Sequence, residues 1–291
     1  MIKKTILPSE TSTKELHQYI IGSVAPRPIA FVSTVDENGV ENLAPYSFFN
    51  AFSSNPPVLV FSSNRKVSDN STKDTLHNVR ATGEAVVNMV SYPIVRQMSL
   101  ASVEFPSDIS EFSKTGLTAI PSERVKAPSV LESPVNMECK IKDIVTLGEH
   151  GGAGHLIICE VVLIKISEDV FTDGKIDPHK MDLMGRLGRN FYVRASGAAL
   201  MEIYQSVTEI PIGWDGLPQH IRESKILTGN EIATLASLKK LPEQQETDQY
   251  LSSHEDLKAL LAQGNPENIH LQASQLIQSG HSFEALCLLM A

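Results

Sequence analysis

The sequence predicts a mainly β protein, an antiparallel barrel or sandwich that carries a small helical extension. Short segments of alternating apolar and polar residues, separated by turns, dominate residues 28–196, and few segments there have helical periodicity. After about residue 205, helix-start and helix-stop signals replace the strand pattern. We therefore divide the chain into a β domain, residues 1–205, and a C-terminal helical extension, residues 206–291.

The clearest strand and turn lie near the N-terminus. Residues 28–35 alternate with a period of two, which is typical of a half-buried strand. Asp36-Glu-Asn-Gly39 then predicts a hairpin turn, because Asn-Gly readily adopts positive φ. Residues 148–154 are rich in glycine and are predicted to form a second hairpin loop. Further strands are predicted at residues 58–62, 85–90, 135–147, 155–166 and 189–194.

Two short helices interrupt these strands. Residues 73–80 are predicted to be helical, with Ser71 or Thr72 as the N-cap, and residues 94–103 form the second helix. The start of the first helix is rich in hydroxyl groups. Strand edges that offer backbone amides, followed by such a helix start, form a surface suited to a flat ring and a phosphate. A bound cofactor is therefore expected.

The extension is predicted to be helical. Thr228 and Glu231 have the spacing of a capping box and open a helix that ends before Pro242. Residues 242–249 are polar, so we predict a linker there. Two similar units follow, each with an apolar helix end, a C-cap glycine and a fresh helix start, at residues 260–265 and 276–281.

Composition and charge exclude several classes of protein. Hydrophobic residues make up 42% and charged residues 20%, as in globular proteins. The net charge of −9, without a basic stripe, argues against a nucleic-acid partner. No apolar run approaches the roughly 20 residues that cross a bilayer, and no signal peptide is evident. Cys139, Cys159 and Cys287 are widely spaced and predict free thiols, so we expect a cytoplasmic protein.

A series of motifs in residues 15–205 resembles the flavin reductase-like proteins of the FMN-binding split-barrel fold. These motifs occur in a fixed order, which makes the resemblance more specific than any single one of them. They are Gly22-x-x-Ala-Pro-Arg-Pro-Ile-Ala30, Val32-Ser-Thr34, Gly39, Asn42-Leu-Ala-Pro-Tyr-Ser-Phe48, Pro56-Pro57, Lys73-Asp-Thr75, Gly185-Arg-Leu-Gly188 and Tyr192.

The resemblance implies an antiparallel split β-barrel that binds FMN, usually at the interface of a homodimer. It also implies an NAD(P)H-dependent oxidoreductase in which a hydride passes to flavin N5. The reduced flavin would then serve free flavin, a ferric chelate or a protein such as a monooxygenase. The alternative is a flavin-binding electron carrier or partner-binding module without NAD(P)H activity, since fold does not determine function and helical extensions often bind partners.

The resemblance and the residue chemistry together give a set of cofactor-binding residues. A phosphate needs several donors, and the side chains of Ser62, Lys73 and Thr75 offer them near a helix start. A cation beside the electron-rich edge of the ring would be Arg27 or Arg186. The complete predicted set is Arg27, Pro28, Ser33, Thr34, Asn42, Ala44, Pro45, Tyr46, Ser47, Phe48, Ser62, Ser63, Asn64, Lys73, Asp74, Thr75, His155 and Arg186.

No metal site and no nucleophilic triad are predicted. Asp173-x-Lys-x-Asp177 has a lysine where an EF-hand needs its second oxygen ligand. His150 and His155 have no third ligand at regular spacing. The glycines of residues 148–154 lack the dinucleotide-binding spacing and precede a strand rather than a helix.

Overall fold

The computed structural model describes residues 2–203 and 209–291, and the chain divides into two compact units between Met201 and Glu202. The predicted boundary at residues 205 and 206 lies outside the described residues. The elements of the first unit are α1 (Thr13–Ser23), β1 (Ala30–Val35), β2 (Glu41–Tyr46), β3 (Phe49–Ser54), β4 (Pro57–Asn64), α2 (Asp74–Thr82), β5 (Glu84–Met89), α3 (Val95–Leu100), α4 (Glu111–Thr115), β6 (Ala119–Ile120), β7 (Ser129–Val130), β8 (Val135–Thr146), β9 (Gly154–Ile166), β10 (Phe171–Thr172), β11 (Lys175–Ile176), α5 (Pro178–Met181), β12 (Met184–Arg186) and β13 (Tyr192–Arg194).

Seven strands pair antiparallel in one sheet, in the order β2-β1-β5-β8-β9-β4-β3. The prediction of a mainly antiparallel β fold is therefore confirmed for this unit. Four strands separate β2 from β4 in the pairing order, yet the ring of Tyr46 on β2 lies 5.0 Å from that of Phe61 on β4. This contact shows that the sheet curls back on itself. Among the described residues, no strand pairing joins β2 to β3.

The core lies inside this curled sheet. Val32, Tyr46, Phe61 and Ile157 bury their side chains there, and α2 adds Leu76. A second apolar cluster packs on the outer face of β1, where α3 and α4 cover it. All six residues of β1 are consequently buried, so the prediction of a half-buried first strand is wrong.

Most of the predicted turns and helix starts agree with the structure. Asp36 closes the first hairpin by accepting hydrogen bonds from Asn38 N and Val40 N, and Gly39 has a φ of 87°. α2 begins with Lys73 as its N-cap, so the prediction of Ser71 or Thr72 is wrong. The hydroxyl of Thr72 bonds the His77 ring instead.

The glycine-rich segment 148–154 is the hairpin loop between β8 and β9, as predicted. A Cβ at Gly151 would lie 2.8 Å from Lys66 O, so the backbone of this loop approaches that of residues 66–67 too closely for a side chain. Asn70 Nδ2 also donates to Glu149 O. The loop therefore packs against the segment that follows β4.

The second unit is a helical bundle. Its helices are α6 (Gln219–Arg222), α7 (Gly229–Ala236), α8 (Gln244–Ser252), α9 (Glu255–Ala262), α10 (Pro266–Gln278) and α11 (Ser282–Met290). The capping box of Thr228 and Glu231 is present as predicted. The prediction of a linker at residues 242–249 is wrong, since α8 starts with a capping box at Glu243 and buries Thr247. None of the described helices is long and apolar enough to cross a bilayer.

Glu231 gives the helical unit a stabilisation that depends on pH. Burial raises the pKa of this carboxyl, but hydrogen bonds from Ser274, Thr228 and Gln278 outweigh burial and lower it from 4.5 to about 2. Because the folded pKa lies below the unfolded one, the stabilisation is complete above about pH 4.5 and is lost as pH falls through 2. We expect Glu231→Gln to lower the free energy of unfolding by about 1–3 kcal/mol near neutral pH.

The fluorescence of Trp214, the only tryptophan of the chain, reports urea unfolding of this unit. The difference in the free energy of unfolding between wild type and Glu231→Gln should become smaller as the pH is lowered. The matched control is Glu255→Gln, whose side chain is 83% exposed in an ion pair with Lys258 and should change stability by less than about 0.5 kcal/mol. A difference that stays constant down to about pH 2 would refute the assigned pKa shift.

Candidate functional site

A cavity of about 270 Å³ opens where β2 ends and the chain turns toward β3. We call it the cationic cavity, because its charged lining side chains are Arg27, Lys73 and Arg186. No carboxylate is among the described residues that line it. Such a charge distribution suits an anionic ligand. Its lining residues are His17, Ile21, Arg27, Pro45, Tyr46, Ser47, Phe48, Ser62, Asn64, Lys73 and Arg186, nine of which were predicted from the sequence.

A second cavity of about 320 Å³ lies beside the start of α2. It brings together four further predicted residues, Asn42, Ala44, Asp74 and Thr75, and shares Lys73 with the cationic cavity. Its charged lining side chains are Lys66, Lys73, Asp74, Glu104 and Glu111. We call it the mixed cavity, since it presents three carboxylates to two ammonium groups. It is less suited to an anion than the cationic cavity.

Lys73 lies at the junction of the two cavities. Its ammonium is 5.3 Å from the centroid of the Tyr46 ring, and it forms no hydrogen bond or ion pair with any residue in 2–203 or 209–291. Burial lowers the pKa of Lys73, against the smaller opposing effect of Glu104. A cation with its donors free, at the N-terminus of a helix, is well placed to bind an anionic group.

Arg27 has a mainly structural role, because its guanidinium is hydrogen-bonded to other residues of the chain. Its Nη1 donates to Ile21 O at 2.7 Å and to Val24 O at 2.6 Å, which are carbonyls at the end of α1. Its Nη2 donates to Leu187 O at 3.3 Å, and its Nε to Ser47 Oγ at 3.4 Å. The residue is only 6% exposed. Arg27 thus ties α1 to the turn after β12 and keeps few donors for a ligand.

Arg186 has more donors to offer. Its backbone pairs with that of Arg27, and its guanidinium donates one bond, from Nη1 to Phe191 O at 2.8 Å. The guanidinium also lies 4.6 Å from the centroid of the Tyr192 ring. Burial, and after it the charge of Arg186, lowers the pKa of Arg27. Of the two rival arginines, Arg186 is the better candidate to contact a ligand.

Five predicted residues line neither cavity: Pro28, Ser33, Thr34, Ser63 and His155. The hydroxyl of Ser33 donates to Pro128 O and accepts from Asn88 Nδ2 at 3.2 Å. Pro28 is half-buried next to β1. Ser63 and His155 are fully buried neighbours on β4 and β9, with His155 Nδ1 3.0 Å from Ser63 O.

The amide of Asn42 organises the hydroxyls around α2. Asn42 Nδ2 donates to Thr75 Oγ1 at 2.9 Å and to Thr34 Oγ1 at 3.3 Å. Both threonines are completely buried. Thr75 therefore supports the start of α2 from inside, and its hydroxyl is already used as an acceptor. A phosphate role for the Thr75 side chain stays a prediction.

The edge of β2 is less rich in free amides than the sequence suggested. Pairing with β1 is continuous through Pro45, and Leu43 N, which points away from β1, donates to Glu111 Oε2 at 2.8 Å. Burial raises the pKa of Glu111. The sequence analysis missed Glu111, because only the fold brings α4 against this edge.

The sequence analysis also missed His17 and Ile21, which reach the cationic cavity from α1. The His17 and Phe48 rings lie 6.1 Å apart. A local signal for α1 was present, since Ser12 and Glu15 have capping-box spacing and Ser12 Oγ accepts from Glu15 N at 3.3 Å.

Residues 22–180 match the sequence profile of the flavin reductase like domain. The chain belongs to this family. A protein of Aquifex aeolicus is 40% identical over 196 residues, which cover 67% of this chain and 97% of that protein. Among solved structures, nitrilotriacetate monooxygenase component B from Bacillus cereus is 32% identical, with a TM-score of 0.65, over 71% of this chain and 100% of that chain. A Shewanella frigidimarina protein described as a flavin reductase with a split barrel domain is 25% identical, with a TM-score of 0.59, over 68% and 96% of the two chains.

The flavin reductase-like match covers most of the residues that line the two cavities. It includes Arg27, the edge of β2 and Lys73, whereas Arg186 lies six residues beyond its end. The helical unit lies entirely outside it. The antiparallel sheet agrees with the split-barrel description of the Shewanella frigidimarina structure.

Proposed function

We propose that this flavin reductase-like protein binds FMN in the cationic cavity and acts as an NAD(P)H-dependent flavin reductase. The observation that carries the proposal is the set of three cations, Arg27, Lys73 and Arg186, around a cavity whose described lining contains no carboxylate. FMN combines a phosphate with a flat ring. The cations suit the phosphate, and the neighbouring rings of Tyr46 and Phe48 suit the flat ring.

Each lining group would have a distinct task. Lys73 would hold the phosphate, assisted by the free amides at the start of α2 and by the polar side chains of Ser62 and Asn64. Arg186 would place positive charge beside the electron-rich edge of the ring. Arg27 would keep α1 and the Ser47 turn in position. Bound FMN would supply the redox chemistry, in which N5 accepts a hydride from NAD(P)H.

We further propose that the electrons pass to a separate oxygenase or to free flavin. Support comes from the similarity to component B of nitrilotriacetate monooxygenase, whose name describes one part of a multi-component enzyme. The three cysteines are free and buried, which fits the reducing cytoplasm that we propose as its location.

A second copy of the chain would complete the cationic cavity. Next to it lies an apolar hollow of about 350 Å³, which shares Phe48, Ser62 and Asn64 with the cationic cavity. Phe52 of β3, 67% exposed, and Leu147, 61% exposed, are part of this hollow. β3 is the last strand of the sheet and pairs, within the described chain, only with β4. We propose that a homodimer forms over this surface.

We expect Phe52→Glu to raise the dissociation constant of the dimer by at least about 30-fold, because it places a charge in a buried apolar contact. Light scattering during gel filtration measures this change. Leu271→Glu is the matched control, since Leu271 is 52% exposed on α10 and should have no effect. A wild-type chain that stays at the monomer mass of 31.8 kDa at high concentration would contradict the dimer.

The alternative function is a flavin-binding electron carrier or partner-binding module. The helical unit favours it, since this unit lies outside the family match and carries twelve acidic against five basic residues over 202–291. Oxidation of NADH or NADPH with FMN, FAD or riboflavin as acceptor separates the two functions. A rate equal to that without protein, from a chain that still binds FMN, would leave the carrier as the function.

A further inference from the structure

Besides Arg65 Nε, three buried polar side-chain atoms of the first unit lack hydrogen-bond partners among the described residues. They are Tyr46 Oη, Ser63 Oγ and His155 Nε2. The three residues are 6%, 1% and 0% exposed, respectively. Each unpaired atom of this kind costs about 1–3 kcal/mol, so three of them in one core would consume much of the stability of a domain.

The three atoms belong to one region of the core. Ser63 and His155 are directly opposite on β4 and β9, so their side chains project from the same face of the sheet. Phe61 is two residues before Ser63 on β4, and its ring contacts that of Tyr46 at 5.0 Å. Burial raises the pKa of Tyr46 to about 12, while the nearby hydroxyls of Thr75 and Ser63 oppose this shift without forming hydrogen bonds of good geometry.

The hydrogen-bonding character of the three atoms is complementary. His155 Nδ1 lies 3.0 Å from the carbonyl oxygen of Ser63, which can only accept, so in the neutral tautomer Nδ1 is the protonated nitrogen. His155 Nε2 is therefore an acceptor. The hydroxyls of Tyr46 and Ser63 can each donate. A molecule that both donates and accepts would satisfy all three atoms, and among small ligands water does so.

We propose that Tyr46, Ser63 and His155 form a binding site for an ordered internal water. The water donates to His155 Nε2 and accepts from the hydroxyls of Tyr46 and Ser63. Tyr46 also lines the cationic cavity and lies under the ammonium of Lys73, so this water connects His155 to the wall of that cavity. His155 thereby influences the cavity only through this water and Tyr46, and it does not contact the ligand. The proposal is independent of whether FMN binds.

The sign of a stability change tests the site. If the water is bound, Tyr46→Phe and Ser63→Ala each remove one of its partners, and each should lower the melting temperature of the ligand-free full chain by about 2–6 °C. If the region is dry, the same changes remove an unpaired hydroxyl and leave the melting temperature unchanged or raise it. Tyr92→Phe, at a tyrosine that is 48% exposed, is the control and should have no effect.

A crystal structure of the ligand-free protein tests the same site directly. We expect an electron-density peak within about 2.6–3.2 Å of at least two of the three atoms. Absence of that peak overturns the proposal, and so does a melting temperature that stays constant or rises in both variants.

Discussion

Replacing Lys73 with methionine is expected to weaken FMN binding by about 10- to 100-fold and riboflavin binding by less than about threefold. The two ligands differ only in the phosphate, and a charge-assisted hydrogen bond contributes about 1.5–3 kcal/mol. Lys73 has no competing partner in the described chain, so its whole contribution is available to the ligand. Fluorescence titration of both flavins measures the two dissociation constants.

Lys66→Met is the matched control for this prediction. Lys66 lines only the mixed cavity and forms an ion pair with Glu104 at 2.8 Å, so its loss should change the affinity for FMN little. An equal loss of affinity for FMN and riboflavin in Lys73→Met would contradict a phosphate role. A larger effect of Lys66→Met than of Lys73→Met would place the phosphate in the mixed cavity.

Arg27→Met is expected to lower the free energy of unfolding by about 2–4 kcal/mol, whereas Arg186→Met should change it by less than about 0.5 kcal/mol. The change at Arg27 leaves Ile21 O and Val24 O without the donor that now bonds both. The guanidinium of Arg186 bonds one carbonyl, that of Phe191, on the exposed side of the chain. Chemical unfolding of the first unit, followed by circular dichroism, measures both values.

The reduction potential of bound FMN should depend more on Arg186 than on Arg27, whereas the free energy of unfolding depends more on Arg27. Arg186→Met should make the reduction potential of bound FMN more negative, since a cation near the ring favours the reduced state. Arg27→Lys, which keeps the charge but not the geometry of the donors, should be destabilised almost as strongly as Arg27→Met. Equal destabilisation by Arg27→Met and Arg186→Met would contradict the division of roles between them.

The sequence predicted those elements whose signals are local. The hairpin at Asp36–Gly39 and the long β8–β9 pair are encoded by alternation and turn residues, and both are present. β3 was not predicted, because Phe49–Ser54 is an exposed edge strand without a clear apolar face. The helix at Gln244–Ser252 was not predicted for a similar reason. Most of its residues are polar and exposed, and only Thr247, Tyr250 and Leu251 pack toward the core of the helical unit.

The candidate site could be predicted only in part. Motif order and residue chemistry together identified nine of the residues around the cationic cavity, including Lys73 and both arginines. Arg27 has a structural role because it bonds the carbonyls at the end of α1. No sequence pattern links α1 to Arg27, so this role could not be predicted. Glu111 likewise reaches β2 from a helix nearly 70 residues away. Such contacts arise from tertiary packing, so they became visible only in the structure.

The most direct test of the central claim is the visible absorption spectrum of the protein after incubation with FMN and gel filtration. The spectrum is recorded without oxygen, before and after addition of NADH or NADPH. A flavin reductase with FMN in the cationic cavity should elute yellow and lose its visible flavin band when the nicotinamide is added. A colourless protein that also fails to accelerate the reduction of free FMN would contradict the proposed function.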